Sequence, residues 1–267
     1  MIAAVILAGL LGLLIGSFLN VCVYRMPRDI SVAKPSRSFC PECESNIAWY
    51  DNIPLLSYIL LRGKCRKCGW GIPVRYPLLE LATAAAFAIC VGQLGLTIVA
   101  LKYAIFSAIL IALAASDFEN LILPDEFTLG GLLIGLVLAW FVPLETFFGY
   151  FLPRDWSNQW RSVAEGAFAA ALASASIWLI GFLYEKVRHR EGLGLGDVKM
   201  IAMIGAFVGL QGALLTLVLA SFLGSVLGLI FIKLTKKDAA TYELPFGTFI
   251  SVGALLVAVI VIRRMSV

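Results

Sequence analysis

Four cysteines and a few aspartates are the residues whose types and spacing could do chemistry. Cys40-Pro41-Glu42-Cys43 and Cys65-Arg66-Lys67-Cys68 form two CxxC knuckles separated by 21 residues. Two thiolates at i and i+3 of a tight turn chelate one metal, and two such pairs supply the four sulfurs of a tetrahedral Zn²⁺ site. Gly69 relaxes the second turn, and Lys64, Arg66 and Lys67 offset the negative charge of a Cys₄ centre. A closed site offers no open coordination position, so the expected zinc is a staple for a segment too small to hold its own core, not a hydrolytic centre. The alternative is a set of metal-free thiols. Cys22 and Cys90 lie in apolar stretches and read as small packing residues.

Asp117 follows an apolar stretch in Ala115-Ser116-Asp117-Phe118-Glu119, and Asp197 sits in Gly194-Leu195-Gly196-Asp197-Val198-Lys199 at the head of another. Either aspartate alone reads as a helix cap or a solvated boundary residue. Two carboxylates within hydrogen-bonding range cannot both ionise cheaply. They share a proton, one acting as base toward a water while the other polarises a scissile carbonyl. Asp125, Glu126 and Glu119 compete for the role of Asp117, Asp125 most strongly because Leu123-Pro124-Asp125 also reads as a helix start. A Ser/His/Asp centre is disfavoured, since the only histidine, His189, lies in a charged run at a helix end.

The elements that must position these groups are membrane helices. Of 267 residues, 61% are hydrophobic and 14% charged, against roughly a quarter charged in soluble domains, and the mean hydropathy is +0.93. The net charge of +4 is too small and scattered for a nucleic-acid footprint. Apolar stretches run from 2 to about 24, then at about 77–96, 97–116, 124–142, 163–184, 198–211, 212–232 and 245–262. The sequence predicts an all-α polytopic membrane protein of about eight spans, the sixth short enough to be a broken or re-entrant segment. The first stretch lacks a basic n-region and reads as a retained span, not a signal peptide. Three domains follow: residues 1–24, a polar loop at 25–76, and a membrane-embedded part at 77–267.

Nine of the 21 basic residues fall at 25–76, four more between Lys186 and Lys199, and three between Lys233 and Lys237. The positive-inside rule puts these segments in the cytoplasm and both termini outside. The 143–162 loop, with Trp156 and Trp160, reads as an external interfacial segment. Gly224 and Gly228 suggest close helix packing.

These motifs together resemble the type IV prepilin peptidases, bifunctional membrane aspartyl proteases of the GxGD kind. The resemblance rests on Gly16-Ser17-Phe18-Leu19-Asn20-Val21 leading to Arg25-Met26-Pro27, both knuckles, Arg75-Tyr76-Pro77 with Glu80, Asp117 through Leu123-Pro124-Asp125, Gly194 through Lys199, and Pro245-Phe246-Gly247. It implies an enzyme of the bacterial inner membrane that removes the basic leader from type IV prepilins or type II secretion pseudopilins. It further implies N-methylation of the new terminus with S-adenosylmethionine. By this resemblance Asp117 and Asp197 are the catalytic pair, the four cysteines match the zinc loop of bifunctional members, and the loop is associated with methylation. Pro245-Phe246-Gly247 is faintly similar to the PAL element of other GxGD proteases. No Gly-rich nucleotide fingerprint marks the residues that bind the cofactor, although Glu80 is a candidate to hold the amine or cofactor. The sequence leaves open the oligomeric state and two other readings: a transporter relaying protons or cations through Asp117, Asp125 and Asp197, and a membrane scaffold whose zinc loop recruits a partner.

Overall fold

The computed structural model describes residues 1–35, 37–144, 148–152, 155–189, 193–235 and 244–266. Arg190, Lys236 and Lys237, used in the charge reading, lie outside them, as do residues 145–147 and 153–154 of the 143–162 loop. The described residues form helices and no strands: α1 (Ile2–Arg25), the short α2 (Leu56–Leu60), α3 (Arg75–Leu94), α4 (Ile98–Asn120), α5 (Asp125–Phe141), α6 (Asn158–Arg188), α7 (Leu195–Thr235) and α8 (Phe246–Ser266). Six of these, α1, α3, α4, α6, α7 and α8, are long and apolar enough to cross a membrane, while α5 has 17 residues. The protein is a multi-pass membrane protein.

The expected sixth and seventh spans are one helix, α7, of 41 residues. Straight, it would run about 60 Å, twice the roughly 30 Å of a hydrocarbon core. It is broken at Gly209 (φ 71°, ψ −178°), a conformation that needs a residue without Cβ. The first part runs antiparallel to α6, with Gly205 against Ala169 and Ala170. The second runs antiparallel to α8, with Thr216, Gly224 and Gly228 meeting Gly253, Phe249 and Leu244. Seven long helices, one folded in two, therefore account for the eight expected stretches. The break precedes the expected boundary at 211–212 because the apolar pattern continues through it.

The chain divides into two compact units, Met1–Ser116 and Asp117–Met265. In the first, α1 lies along α3 with backbones in near contact: a Cβ on Gly12 would stand 2.7 Å from Ala84 Cα, and one on Gly16 2.7 Å from Glu80 Cα. Small residues let membrane helices approach this closely, and dispersion between backbones replaces the hydrophobic drive that lipid does not supply. Arg25, at the end of α1, donates to the carbonyls of Ser31, Val32, Pro35 and Arg37, tying the following loop to the helix.

In the second unit α7 is the hub, packed by α5, α6 and α8. A Cβ on Gly205 would lie 2.8 Å from Ala169 backbone, and one on Gly135 2.8 Å from the Phe207 ring. These approaches are tighter than that at Gly224, whose Cβ would make an ordinary 3.4 Å contact with Phe249. Trp160 meets Trp140 edge to face at 5.0 Å, and Trp156 and Trp160 are exposed. His189 closes α6 in the left-handed conformation, its N–H bonded to Glu185. Cys22 and Cys90 are buried, as expected of packing residues.

Gly12→Leu should force α1 and α3 apart and cost about 1–3 kcal/mol, read as a lower melting temperature in detergent. Gly9→Ala, whose Cβ would meet nothing nearer than 3.9 Å, should stay within about 0.5 kcal/mol of wild type.

Candidate functional site

Asp117 lies in the last turn of α4 and is 5% exposed. A carboxylate there faces the negative end of the helix dipole, so it is no cap and needs donors from elsewhere. Thr248, in the first turn of α8, supplies two: its N–H and its hydroxyl both donate to Asp117 Oδ2, at 2.6 and 3.0 Å. The N–H is one of the first-turn donors that a helix leaves without an i−4 partner. Gly247 brings the two helix ends this close, since a Cβ on it would lie 3.0 Å from Asp117 Cγ.

Asp197 is the third residue of α7 and half-buried, and its N–H closes a turn onto Gly194 O at 3.1 Å. Leu123 wedges between the helix starts, meeting Gly196 on one side and Gly247 on the other. Through Leu123, the start of α7 that carries Asp197 is packed against the Gly247 backbone that touches Asp117. The structure thus brings the ends of α4, α7 and α8 together around two carboxylates.

The competing acids are placed differently. Asp125 is exposed and pairs in bidentate fashion with Lys199, at 2.7 and 2.9 Å, while Glu119 and Glu126 are exposed. The Asp125–Lys199 pair joins the start of α5 to that of α7, two residues past Asp197. Thr248 escaped the sequence reading. Its only signal is a hydroxyl directly after Pro245-Phe246-Gly247, at a helix start.

The four knuckle cysteines also come together, their Sγ atoms all within 4.8 Å of one another. Cys40 Sγ and Cys68 Sγ are 3.8 Å apart. That is far beyond the roughly 2.05 Å of a disulfide, and it matches the edge of about 3.8 Å that Zn–S bonds of about 2.3 Å give a tetrahedron. The two turns have the same form: Glu44 N–H bonds Cys40 O and Gly69 N–H bonds Cys65 O, with Glu44 (φ 53°) and Gly69 (φ 73°) both left-handed. The Ser45 hydroxyl and N–H pull the Cys43 thiol down to about 6. Although the Trp70 N–H favours its thiolate, Cys68 is pushed up to about 12 by desolvation and the adjacent sulfurs. Four thiols so close ionise together only around a cation, so the donor set fits zinc.

The sequence model described as the bacterial peptidase A24 N-terminal domain matches residues 10–94, and that of the type IV leader peptidase family matches residues 104–229. Among similar proteins, a prepilin leader peptidase/N-methyltransferase of Myxococcus xanthus is 38% identical over 87% of this chain, the match spanning 64% of the relative. One of Pseudomonas aeruginosa is 34% identical, with 94% of this chain and 89% of the relative covered. One of Neisseria gonorrhoeae is 33% identical, with 95% and 90% covered. No solved structure matches the chain.

Proposed function

Because the chain belongs to the type IV leader peptidase family, we propose that it is a membrane aspartic endopeptidase that removes the leader of type IV prepilins or type II secretion pseudopilins and then N-methylates the new terminus. The observation that carries the peptidase reading is the buried Asp117, held by two Thr248 donors at the point where Leu123 packs the start of α7, with Asp197, against Gly247. One carboxylate takes the proton of the attacking water. The other, protonated, hydrogen-bonds the scissile carbonyl and passes its proton on as the tetrahedral intermediate collapses. Thr248 holds the Asp117 carboxylate in place, and Gly194, whose Cβ would stand 3.6 Å from Asp197 Oδ2, keeps the backbone beside Asp197 free of a side chain. Asp125 serves with Lys199 to fix the start of α7.

Both aspartates lie at helix ends, where a pilin-like substrate, an apolar helix with a polar leader, would present its cleavage point from the lipid. With the basic segments on the cytoplasmic side, the reaction takes place at the inner face of the bacterial inner membrane. Cys40, Cys43, Cys65 and Cys68 hold a structural zinc, and S-adenosylmethionine supplies an electrophilic methyl group for the second step. Nothing in the geometry or the family match favours transport.

A prepilin-like peptide incubated in detergent with wild-type protein should lose its leader. Asp117→Asn and Asp197→Asn should each cut the rate at least ~10²–10⁴-fold, and Asp125→Asn far less. Loss of cleavage in Asp125→Asn but not in Asp117→Asn would overturn the pairing. Thr248→Val should lower kcat about tenfold with little change in KM, and Thr248→Ser should restore it. Cys43→Ser should release zinc, measured by mass spectrometry, with methylation suffering at least as much as cleavage. Full occupancy in that variant would refute the Cys₄ assignment.

A further inference from the structure

The loop between α1 and α3 is polar by composition, yet it exposes an apolar stripe. In α2, Leu56, Ile59 and Leu60 recur at i, i+3 and i+4 and so share one face, and Ile59 and Leu60 are each 70% exposed. The other face is occupied: Ser57 is buried, its hydroxyl donating to Tyr50 O at 2.9 Å and accepting from Ile53 N at 3.1 Å. Trp49 and Tyr50, edge to face at 5.8 Å, are exposed just ahead of the helix. A patch of this kind marks an interaction surface.

The depth of α2 follows from its tether. The Leu55 N–H, directly before it, donates to Glu80 Oε2 at 2.8 Å. Glu80 is the sixth residue of α3, a helix of 20 residues whose length of about 30 Å equals the hydrocarbon core. Its Cα therefore lies about 7.5 Å inside one edge of that core. On α1 the same level is Gly16, packed against Glu80 Cα about 13 Å before the helix ends at Arg25. Close by, α3 exposes Leu78 and Leu81 and α1 exposes Phe18, as spans in lipid do. A helical side chain leans toward its helix start, so Leu55 stands between Glu80 and the edge. That is the outer ~5–10 Å in which amphipathic helices bury their apolar face. Irregular backbone is tolerated there only with its polar groups satisfied. The N–H groups of Leu56, Ser57, Ile59 and Leu61 bond to the carbonyls of Pro54, Ile53, Leu55 and Ser57, and that of Leu55 to Glu80.

The charges beside α2 are of one sign. From Leu61 to Tyr76 there are five basic residues and no acid. Arg66 is held by Asp51 at 2.6 Å, while Arg62, Lys64 and Lys67 are exposed and have no acidic partner among the described residues. Over the whole of 25–76, nine basic side chains stand against four acids, Asp29, Glu42, Glu44 and Asp51, and the two negative charges of a zinc centre with four thiolates leave the balance positive. Arg62 and Lys64 follow α2 directly, their N–H groups bonded to Ile59 O and Leu61 O. Their long stems let the charges reach phosphate level while the stripe stays buried.

We propose that residues 49–64 dock the cysteine-bearing loop onto an anionic phospholipid surface. Leu56, Ile59 and Leu60 enter the acyl region, Trp49 and Tyr50 lie at the headgroups, and Arg62 and Lys64 meet the lipid phosphates. The polar loop is thus a part of the protein that lies on the membrane, in addition to the helices that span it. This docking stands whether or not the peptidase reading does.

The test uses the full-length protein in vesicles of phosphatidylcholine, with and without phosphatidylglycerol. The photoreactive p-benzoylphenylalanine replaces Ile59 or Leu60, with Phe18 in α1 and the exposed Glu42 replaced in the same way as lipid-facing and water-facing references. After illumination, mass spectrometry should find lipid adducts at Ile59, Leu60 and Phe18 and none at Glu42, with the yield at Ile59 and Leu60 higher when phosphatidylglycerol is present. Arg62→Glu combined with Lys64→Glu should lower that yield at least ~threefold while the zinc content, which reports a folded loop, stays at the wild-type level. Adducts of Ile59 and Leu60 to a second copy or to another segment of the chain, with Phe18 still labelling lipid, would overturn the docking. Equal lipid yields with and without phosphatidylglycerol, or in the charge-reversed variant with its zinc retained, would overturn the role given to anionic lipid.

Discussion

Inside a bilayer there is no water to satisfy a polar group, and the placement of chemistry in this protein follows from that. Backbone groups pair within helices, so each helix leaves unpaired N–H groups at its start and carbonyls at its end. Asp117 and Thr248 join two such deficits. The carboxylate stands in the last turn of α4, where the helix dipole opposes its charge, and the N–H of Thr248, which has no i−4 partner, stands in the first turn of α8, where the dipole favours an anion. Each is costly alone and compensated by the other. The same bond that makes the fold tolerable holds a carboxylate, buried yet addressable, beside a second one on α7.

Glycine sets the distances on which this depends. Gly247 lets α8 reach Asp117, and Gly196 admits Leu123 beside Asp197. Gly209 turns α7 back so that its second half can lie along α8 and bring Leu244 against Gly228, just before the helix that carries Thr248. Larger residues at these points would move a helix end by more than a hydrogen bond can follow.

Residue type was enough to read part of this from the sequence. Membrane carboxylates are rare, so Asp117 and Asp197 stood out, and CxxC spacing defined the four thiols now found within 4.8 Å of one another. Apolar runs gave the helices. What stayed hidden depends on pairing across long separations. Asp125 competed with Asp117 in the sequence, and its exposure and its bond to Lys199, 74 residues away, set it apart. Thr248 is an ordinary threonine until it is seen 131 residues from its partner. The break at Gly209 lies within an unbroken apolar pattern, and the second knuckle's glycine was legible as a left-handed residue where Glu44, in the same conformation, was not.

The thiol cluster borders a cavity of about 240 Å³ between α1, α3 and the cysteine-bearing loop, since Cys40 and Cys65 line it. A loop of this size, tied to α1 by the carbonyls around Arg25 and to α3 by Leu55 on Glu80, buries too little apolar surface to fix its own conformation. Metal binding then counts directly toward its folding free energy. The rings of Tyr50, Tyr58 and Trp70 are carried on that same loop, so their spacing is set by the two knuckles rather than by the helices. A cation at the four sulfurs would therefore also fix the spacing of these rings.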